Sequence, residues 1–194
     1  MSHAAQDVRA AFHYLLDGEV EFLQDLARQL PPRAKIVNIG AGAGTSCLAF
    51  LEARDDLNVI TVDIQADASP LGGLQSERNA LEAAGLWGLG RHIQIHGDSK
   101  EVGRTWEGGP VDLVFIDGDH SYEGCSGDVR AWGQHIRTGG FLVFHDYDNA
   151  PWGDVKGVVR DLIETDPDWE AVGIVSITAA FKRGAGPAGS GLFL

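Results

Sequence analysis

The chain has 194 residues, of which 44% are hydrophobic and 22% charged, and its net charge is −13. A chain of this length buries about 70% of its unfolded surface and needs no disulfide or metal to hold it together. The composition excludes a wholly disordered chain, and the acidic balance, with no Lys/Arg-rich run, argues against DNA, RNA or an anionic membrane as partner.

Residues 8–30 read as helix, with Phe12, Leu15 and Leu16 on one face and Phe22, Leu23, Leu26 and Leu30 on another. Asp17-Gly18 breaks this helix in two and Pro31-Pro32 stops it. A short apolar run, 35–39, ends at glycine and reads as the first strand, followed by a helix over 45–53. A second strand covers 58–62, and a helix over 74–84 is closed by Gly85. The third strand is 93–96, and the fourth, 111–116, is apolar enough to be buried on both faces. A helix over 124–136 is closed by Gly139-Gly140, the fifth strand is 141–144, and a helix over 154–164 ends before Pro167. Two short strands, 171–175 and 178–182, lie close enough to form a hairpin, and a Gly/Ala/Pro/Ser tail begins at Gly184. The expected organisation is an N-terminal helical segment (1–34), one domain (35–183) and a flexible tail (184–194).

Strands alternating with helices predict an α/β fold built on a doubly wound, mostly parallel sheet of seven strands with a C-terminal antiparallel hairpin. Cys47 and Cys125 form no CxxC pair and are read as reduced. The start of the chain carries no apolar signal region, and no stretch is long and apolar enough to span a membrane, so the expected location is the cytoplasm.

Ligands on such a sheet bind beyond the carboxyl ends of the strands. The first strand is followed by Gly40-Ala41-Gly42-Ala43-Gly44, whose alternate glycines allow a sharp turn and the close approach of a ligand at a helix N-terminus. The spacing departs from the G-x-G-x-x-G of NAD binders. Asp63, after the second strand, is suited to accept both hydroxyls of a ribose. Asp98 and Ser99, after the third, are suited either to the exocyclic amine of adenine or to capping a helix. The densest polar cluster, Asp117 to Glu123, follows the fourth strand, and His145-Asp146-Tyr147-Asp148-Asn149 follows the fifth. Facing carboxylates with His nearby suit an oxygen-preferring cation such as Mg2+, Mn2+ or Ca2+. For His120 or His145 alone, a hydrogen-bonded structural role is the commoner case.

These residues resemble a known family, the class I S-adenosylmethionine-dependent methyltransferases. Within it, the chain is similar to the group of macrocin O-methyltransferase and cephalosporin hydroxylase. The resemblance runs from Ile36 to Phe181 and rests above all on Val111-Asp112-Leu113-Val114-Phe115-Ile116-Asp117-Gly118-Asp119-His120-Ser121-Tyr122-Glu123-Gly124, followed by Gly139-Gly140-Phe141-Leu142-Val143-Phe144-His145-Asp146-Tyr147. It implies that Gly40, Gly42 and Gly44 line the methionine part of S-adenosylmethionine, that Asp63 holds the ribose, and that Asp98 and Ser99 hold the adenine. It implies a small-molecule acceptor, with oxygen as the methylated atom, and leaves a homo-oligomer open.

The related metal-dependent catechol and caffeoyl-CoA O-methyltransferases carry an Asp after strand 4 and an Asp-Asn pair after strand 5. Asp117 and Asp146 match the two acids, Tyr147 stands at the Asn, and His145 is the replacement ligand, so Mg2+ or Mn2+ would be held by Asp117, Asp146 and His145. His120 stands where those enzymes have Lys and would serve as general base beside Asp117, with a pKa near the working pH. Asn38 stands where the family has an acid ahead of the glycine loop, which implies weaker cofactor binding. Asn at both Asp117 and Asp146 is expected to relieve repulsion in the metal-free protein. The rival readings are a hydroxylase-like enzyme on the same scaffold and a non-catalytic nucleoside-binding protein.

Overall fold

The computed structural model describes residues 4–12, 15–69 and 72–185. The Phe12 side chain and the tail from residue 186 onward lie outside the described residues. The chain runs α1 (Ala4–Phe12), α2 (Glu19–Arg28), β1 (Lys35–Ile39), α3 (Thr45–Ala53), β2 (Asn58–Asp63) and α4 (Leu74–Ala83). It continues with β3 (His92–His96), α5 (Ser99–Arg104), β4 (Val111–Ile116), α6 (Tyr122–Gly133) and β5 (Ile136–Phe144). A single 3-10 turn (Ala150–Trp152) then leads into α7 (Asp154–Leu162), β6 (Trp169–Val175) and β7 (Thr178–Arg183).

The seven strands form one sheet in the order β3-β2-β1-β4-β5-β7-β6. The first five are parallel, and β7 runs antiparallel to both β5 and β6. The expected α/β sheet with its C-terminal antiparallel hairpin is therefore present. Strand order reverses between β1 and β4, so the crevice at the carboxyl ends opens there.

The layers follow from burial patterns. β4 is buried at every residue, as a central strand covered on both faces must be. On one face, Val20, Leu23, Leu26 and Ala27 of α2 share a helical stripe that packs with Leu48, Phe50 and Leu51 of α3 and with Ile36, Leu113 and Phe141 of the sheet. On the other, Cys125, Val129 and Trp132 of α6 and Val155, Val158 and Val159 of α7 cover Val37, Val114, Leu142 and Phe144. Cys47 and Cys125 belong to opposite layers and are free thiols.

Several boundaries differ from expectation, and three places show the cause. α6 begins at Tyr122 because Ser121 caps it, its side chain accepting from the Gly124 N–H at 3.1 Å. Gly139-Gly140 do not close that helix; they lie inside β5, where register slips between Val111 and Leu113 of β4. Gly139 has φ +79° and a Cβ on Gly140 would come within 2.8 Å of the Asp112 carbonyl oxygen, so the pair forms a bulge that a side chain would jam. α5 arises where the helix-cap reading of Asp98 placed a start, the Asp98 carboxylate accepting from the Lys100 N–H at 2.8 Å.

Candidate functional site

Sheet register lines up the strand ends in one row. Gly97 N donates to Asp63 O (3.0 Å), Gly40 N to Val62 O (3.0 Å), Asp117 N to Ile39 O (3.0 Å) and His145 N to Ile116 O (3.1 Å). Four hydrogen bonds thus carry the β-ladder one step past the strands and set the first residues of five loops side by side. A cavity of about 990 Å³ opens above them, lined among others by Gly40, Gly42, Asp63, Asp98, Ser99, Asp117, His120, His145 and Asp146. Of the residues expected to bind cofactor or metal or to act in catalysis, all meet here except Gly44. Gly44 is the left-handed N-cap of α3 and packs against α4, where an added Cβ would lie 3.1 Å from Glu77 Cα.

The glycine loop is a backbone cradle. At Gly40, φ is +93° and a Cβ would sit 2.2 Å from the Asp117 carbonyl oxygen, so no larger residue fits. Gly73 N donates to Gly42 O at 2.9 Å, which clasps the loop before α4 to the glycine loop. Asp63 ties the cradle down, with Oδ2 accepting from Ala41 N and Oδ1 from Gln65 N, both at 2.7 Å. Each oxygen keeps a lone pair for a ligand hydroxyl. At the far end, burial pushes Asp98 up, but hydrogen bonds from the Lys100 backbone and the Lys100 charge outweigh it and hold the carboxyl below its ordinary value. Ser99 Oγ donates to Oδ1 of the buried Asp128. Burial raises Asp128 to about 6 against the lowering effects of Ser99 and Lys100, with Asp98 and Asp119 pushing the same way as burial. A concave wall of glycines and small side chains, flanked by the carboxylates of Asp63 and Asp98, fits an extended nucleoside with a polar tail.

The opposite half of the cavity is an acid–histidine cluster. His145 Nδ1 lies 3.1 Å from Asp117 Oδ1 and 3.1 Å from Asp146 Oδ2. His120 Nε2 lies 2.9 Å from Asp146 Oδ2 and 3.4 Å from Asp117 Oδ1, and its ring stacks on Trp152 with centroids 5.0 Å apart. Asp146 holds φ +56°, a strained value for a residue with a side chain, and Asn149 Nδ2 donates to its Oδ1 at 2.5 Å. Burial lowers both imidazoles, but the carboxylates win: Asp117 and Asp146 bring His120 to about 9, and Asp117, Asp146 and Glu19 raise His145 further. His120 is thus raised well above the near-neutral value expected from the sequence. Asp117 and Asp146 are held below the ordinary carboxylate range by the same two rings, which outweigh burial.

Ligand atoms of Asp117, His145 and Asp146 all lie within 4.8 Å of one another. Two carboxylates and one imidazole form a donor set suited to an oxygen-preferring divalent cation. Tyr147, at the position of the expected third ligand, points elsewhere: its hydroxyl donates to Glu164 at 3.2 Å.

Two residues in contact with this cluster escaped the sequence reading. Trp152 stands on the 3-10 turn after β5 and forms the aromatic wall over His120. Glu19, at the start of α2, is fully buried and places Oε2 3.3 Å from His145 Nε2. An acid in the first turn of an amphipathic helix reads as a solvated dipole partner, and nothing local marks it as buried.

A second cluster, Cys47, Glu77 and His92, lies behind the glycine loop. Both oxygens of Glu77 are already engaged by neighbouring side chains. Thr61 Oγ1 donates to Glu77 Oε2 (2.8 Å), Gln94 Nε2 donates to Glu77 Oε1 (2.9 Å), and His92 Nε2 lies 3.1 Å from the same oxygen. Asn38 joins this network, its Nδ2 donating to the Gly40 carbonyl at 3.0 Å and facing Thr61 Oγ1 at 3.4 Å. An acid there would have no hydrogen to give the Gly40 carbonyl.

Residues 37–147, more than half of the chain, match the family model described as a methyltransferase domain. A stretch of 57 residues is 38% identical to an uncharacterized protein of Acanthamoeba polyphaga mimivirus, covering 27% of this chain and 26% of that protein, so the match spans about a quarter of the curated relative. The fold is similar to that of the O-methyltransferase TomG from Streptomyces achromogenes in complex with SAM (TM-score 0.72, 18% identity, 95% of this chain and 91% of that one). It is similar too to an O-methyltransferase from Bacillus cereus in complex with SAH (TM-score 0.71, 19% identity, 94% and 92%). A SAH-bound methyltransferase of Podospora anserina aligns with a TM-score of 0.69 at 18% identity, over 94% and 88% of the two chains.

Proposed function

Because the chain belongs to the methyltransferase-domain family, we propose that it moves a methyl group from S-adenosylmethionine to a hydroxyl oxygen of a small-molecule acceptor, assisted by Mg2+ or Mn2+. The observation that carries this reading is the row of strand ends, which sets the glycine cradle and Asp63 directly beside the Asp117–His145–Asp146 cluster in one cavity. Fold neighbours with SAM or SAH bound support the choice of cofactor.

When bound, S-adenosylmethionine supplies an electrophilic methyl group on a sulfonium. Gly40 and Gly42 would leave room for its methionine part, Asp63 would accept from the ribose hydroxyls, and Asp98 with Ser99 would meet the adenine. The acidic cavity wall favours a cationic sulfonium. A divalent cation held by Asp117, His145 and Asp146 would lower the pKa of an acceptor hydroxyl. Methyl transfer demands in-line alignment, so the chain's main task is positioning. Trp152 restrains the His120 ring by stacking, and Asp117 and Asp146 aim its Nε2 at the cluster, where it would accept the hydroxyl proton once its own proton has been released.

The test is calorimetric titration of S-adenosylmethionine with and without Mg2+, followed by detection of the demethylated product with a panel of hydroxylated acceptors. Binding enhanced by metal together with turnover supports the enzyme. Binding indifferent to metal, with no turnover across the panel, favours a nucleoside-binding protein.

A further inference from the structure

We propose that Glu19 is a positioning residue that fixes the ring orientation and tautomer of His145, so that His145 presents Nδ1 as a ligand atom toward Asp117 and Asp146. The inference rests on the reading of those three residues as a cation site.

Glu19 is 0% exposed, yet it sits in the first turn of an N-terminal helix. Three donors from two distant parts of the chain aim its carboxylate. Oε1 accepts from Ile177 N at 3.0 Å and from Thr178 Oγ1 at 2.8 Å, and Oε2 accepts from Leu16 N at 2.6 Å. The remaining capacity of Oε2 faces His145 Nε2 at 3.3 Å. An ionised carboxylate only accepts, so the hydrogen of this pair must lie on Nε2 of the imidazole. The neutral ring then carries its lone pair on Nδ1.

That lone pair lies 3.1 Å from an oxygen of Asp117 and 3.1 Å from an oxygen of Asp146. Three acceptors cannot bond one another, and they repel unless a positive centre enters between them. A proton fills that need in the free protein, and a divalent cation fills it with all three donors as ligands. A ligand histidine whose other N–H is donated to a carboxylate is the usual arrangement at metal sites, and loss of the outer partner costs about 10–100-fold in metal affinity. Glu19 supplies this partner from the segment that also brings Leu15 and Leu16 to the cavity wall.

The test uses the full chain and Mn2+ alone, titrated calorimetrically into wild type and Glu19→Gln. The expected result is a Kd raised about 10–100-fold in the variant. Where Glu19→Gln fails to fold, 15N-resolved imidazole spectra of the Mg2+-loaded wild type decide instead, with His145 expected as the Nε2–H tautomer. Equal Mn2+ affinity in the two proteins, or an Nδ1–H tautomer, overturns the proposal. A wild type that takes up neither ion overturns the cation site itself, and this outcome is distinct because it needs no comparison with the variant.

Discussion

Asn38 and the buried carboxylate of Glu77 are joined by a single hydroxyl: Asn38 Nδ2 faces Thr61 Oγ1, and that oxygen donates to Glu77. All three side chains are fully buried. The amide therefore does two things a carboxylate cannot. It donates to the Gly40 carbonyl and it adds no second negative charge beside Glu77. Asn38→Asp is expected to destabilise the fold by ~2–4 kcal/mol, from a lost donor and an uncompensated buried charge. Urea unfolding at pH 7 measures it, and an unchanged midpoint would remove Asn38 from this network.

Asp63 joins the glycine cradle to the loop after β2 through its bonds to Ala41 N and Gln65 N. Asp63→Ala loses both, together with the acceptors offered to a ribose. Affinity for S-adenosylmethionine should fall at least ~10-fold, as lost charge-assisted bonds imply. Calorimetry with the same affinity for both proteins would rule the assignment out.

The acids Asp117 and Asp146 carry an outcome opposite to that drawn from their sequence alone. They do not face each other bare, because His120 and His145 lie between them. Replacing both by Asn leaves the buried His145 with Glu19 as its one carboxylate partner and takes both acids from His120, so stability in chelator at pH 7 should drop by ~2–4 kcal/mol. A gain in stability would mean that carboxylate repulsion dominates after all.

Asp128 makes stability depend on pH. Its value rises from 3.8 in the unfolded chain to about 6 in the fold, mainly through burial. Folding thus favours the protonated acid, and the stability this confers is complete below about pH 4 and lost as pH climbs through 6. Asp128→Asn keeps the acceptor for Ser99 and removes the penalty. It should match wild type near pH 4 and exceed it by ~2–3 kcal/mol at pH 8. Parallel denaturation curves at both pH values would refute the burial argument.

His120 lines the cavity with its ring stacked on Trp152, beside Asp117 and Asp146. His120→Gln should cut turnover by ~100-fold, the usual reach of a lost proton acceptor, while leaving S-adenosylmethionine affinity within about twofold. Single-turnover rates and calorimetry separate the two. Full turnover in the variant would leave His120 as a ring that only props Trp152.

The strands and the residues that end them were legible because period and burial are local signals. β4 declares itself by five apolar residues in six, with Asp112 the one exception, and Asp117 is the residue that follows the run. Register then assembles the row of strand ends without further information. What local pattern could not yield was any role conferred by distant partners. Glu19 looks like a surface acid until Ile177 and Thr178 arrive beside it. Gly139-Gly140 looks like a helix stop, but Ile136 has already entered the sheet and the glycines absorb a slip against β4. His120 looks like a histidine near neutrality until two carboxylates from separate strands close on one nitrogen.

The bonds from Ile177 and Thr178 to Glu19 span 158 and 159 positions of the chain. A ribosome makes α2 long before β7. Until residues 177 and 178 have emerged, Glu19 has only the Leu16 N–H among the three donors that aim its carboxylate. A nascent chain halted before Thr178 can already pair β1 with β2 and β4 and form the glycine loop with Asp63, because those contacts are complete within the emerged segment. It has no seat for Glu19, and His145 has no outer partner. Seating of Glu19 therefore waits for a long loop to be closed before its contacts form.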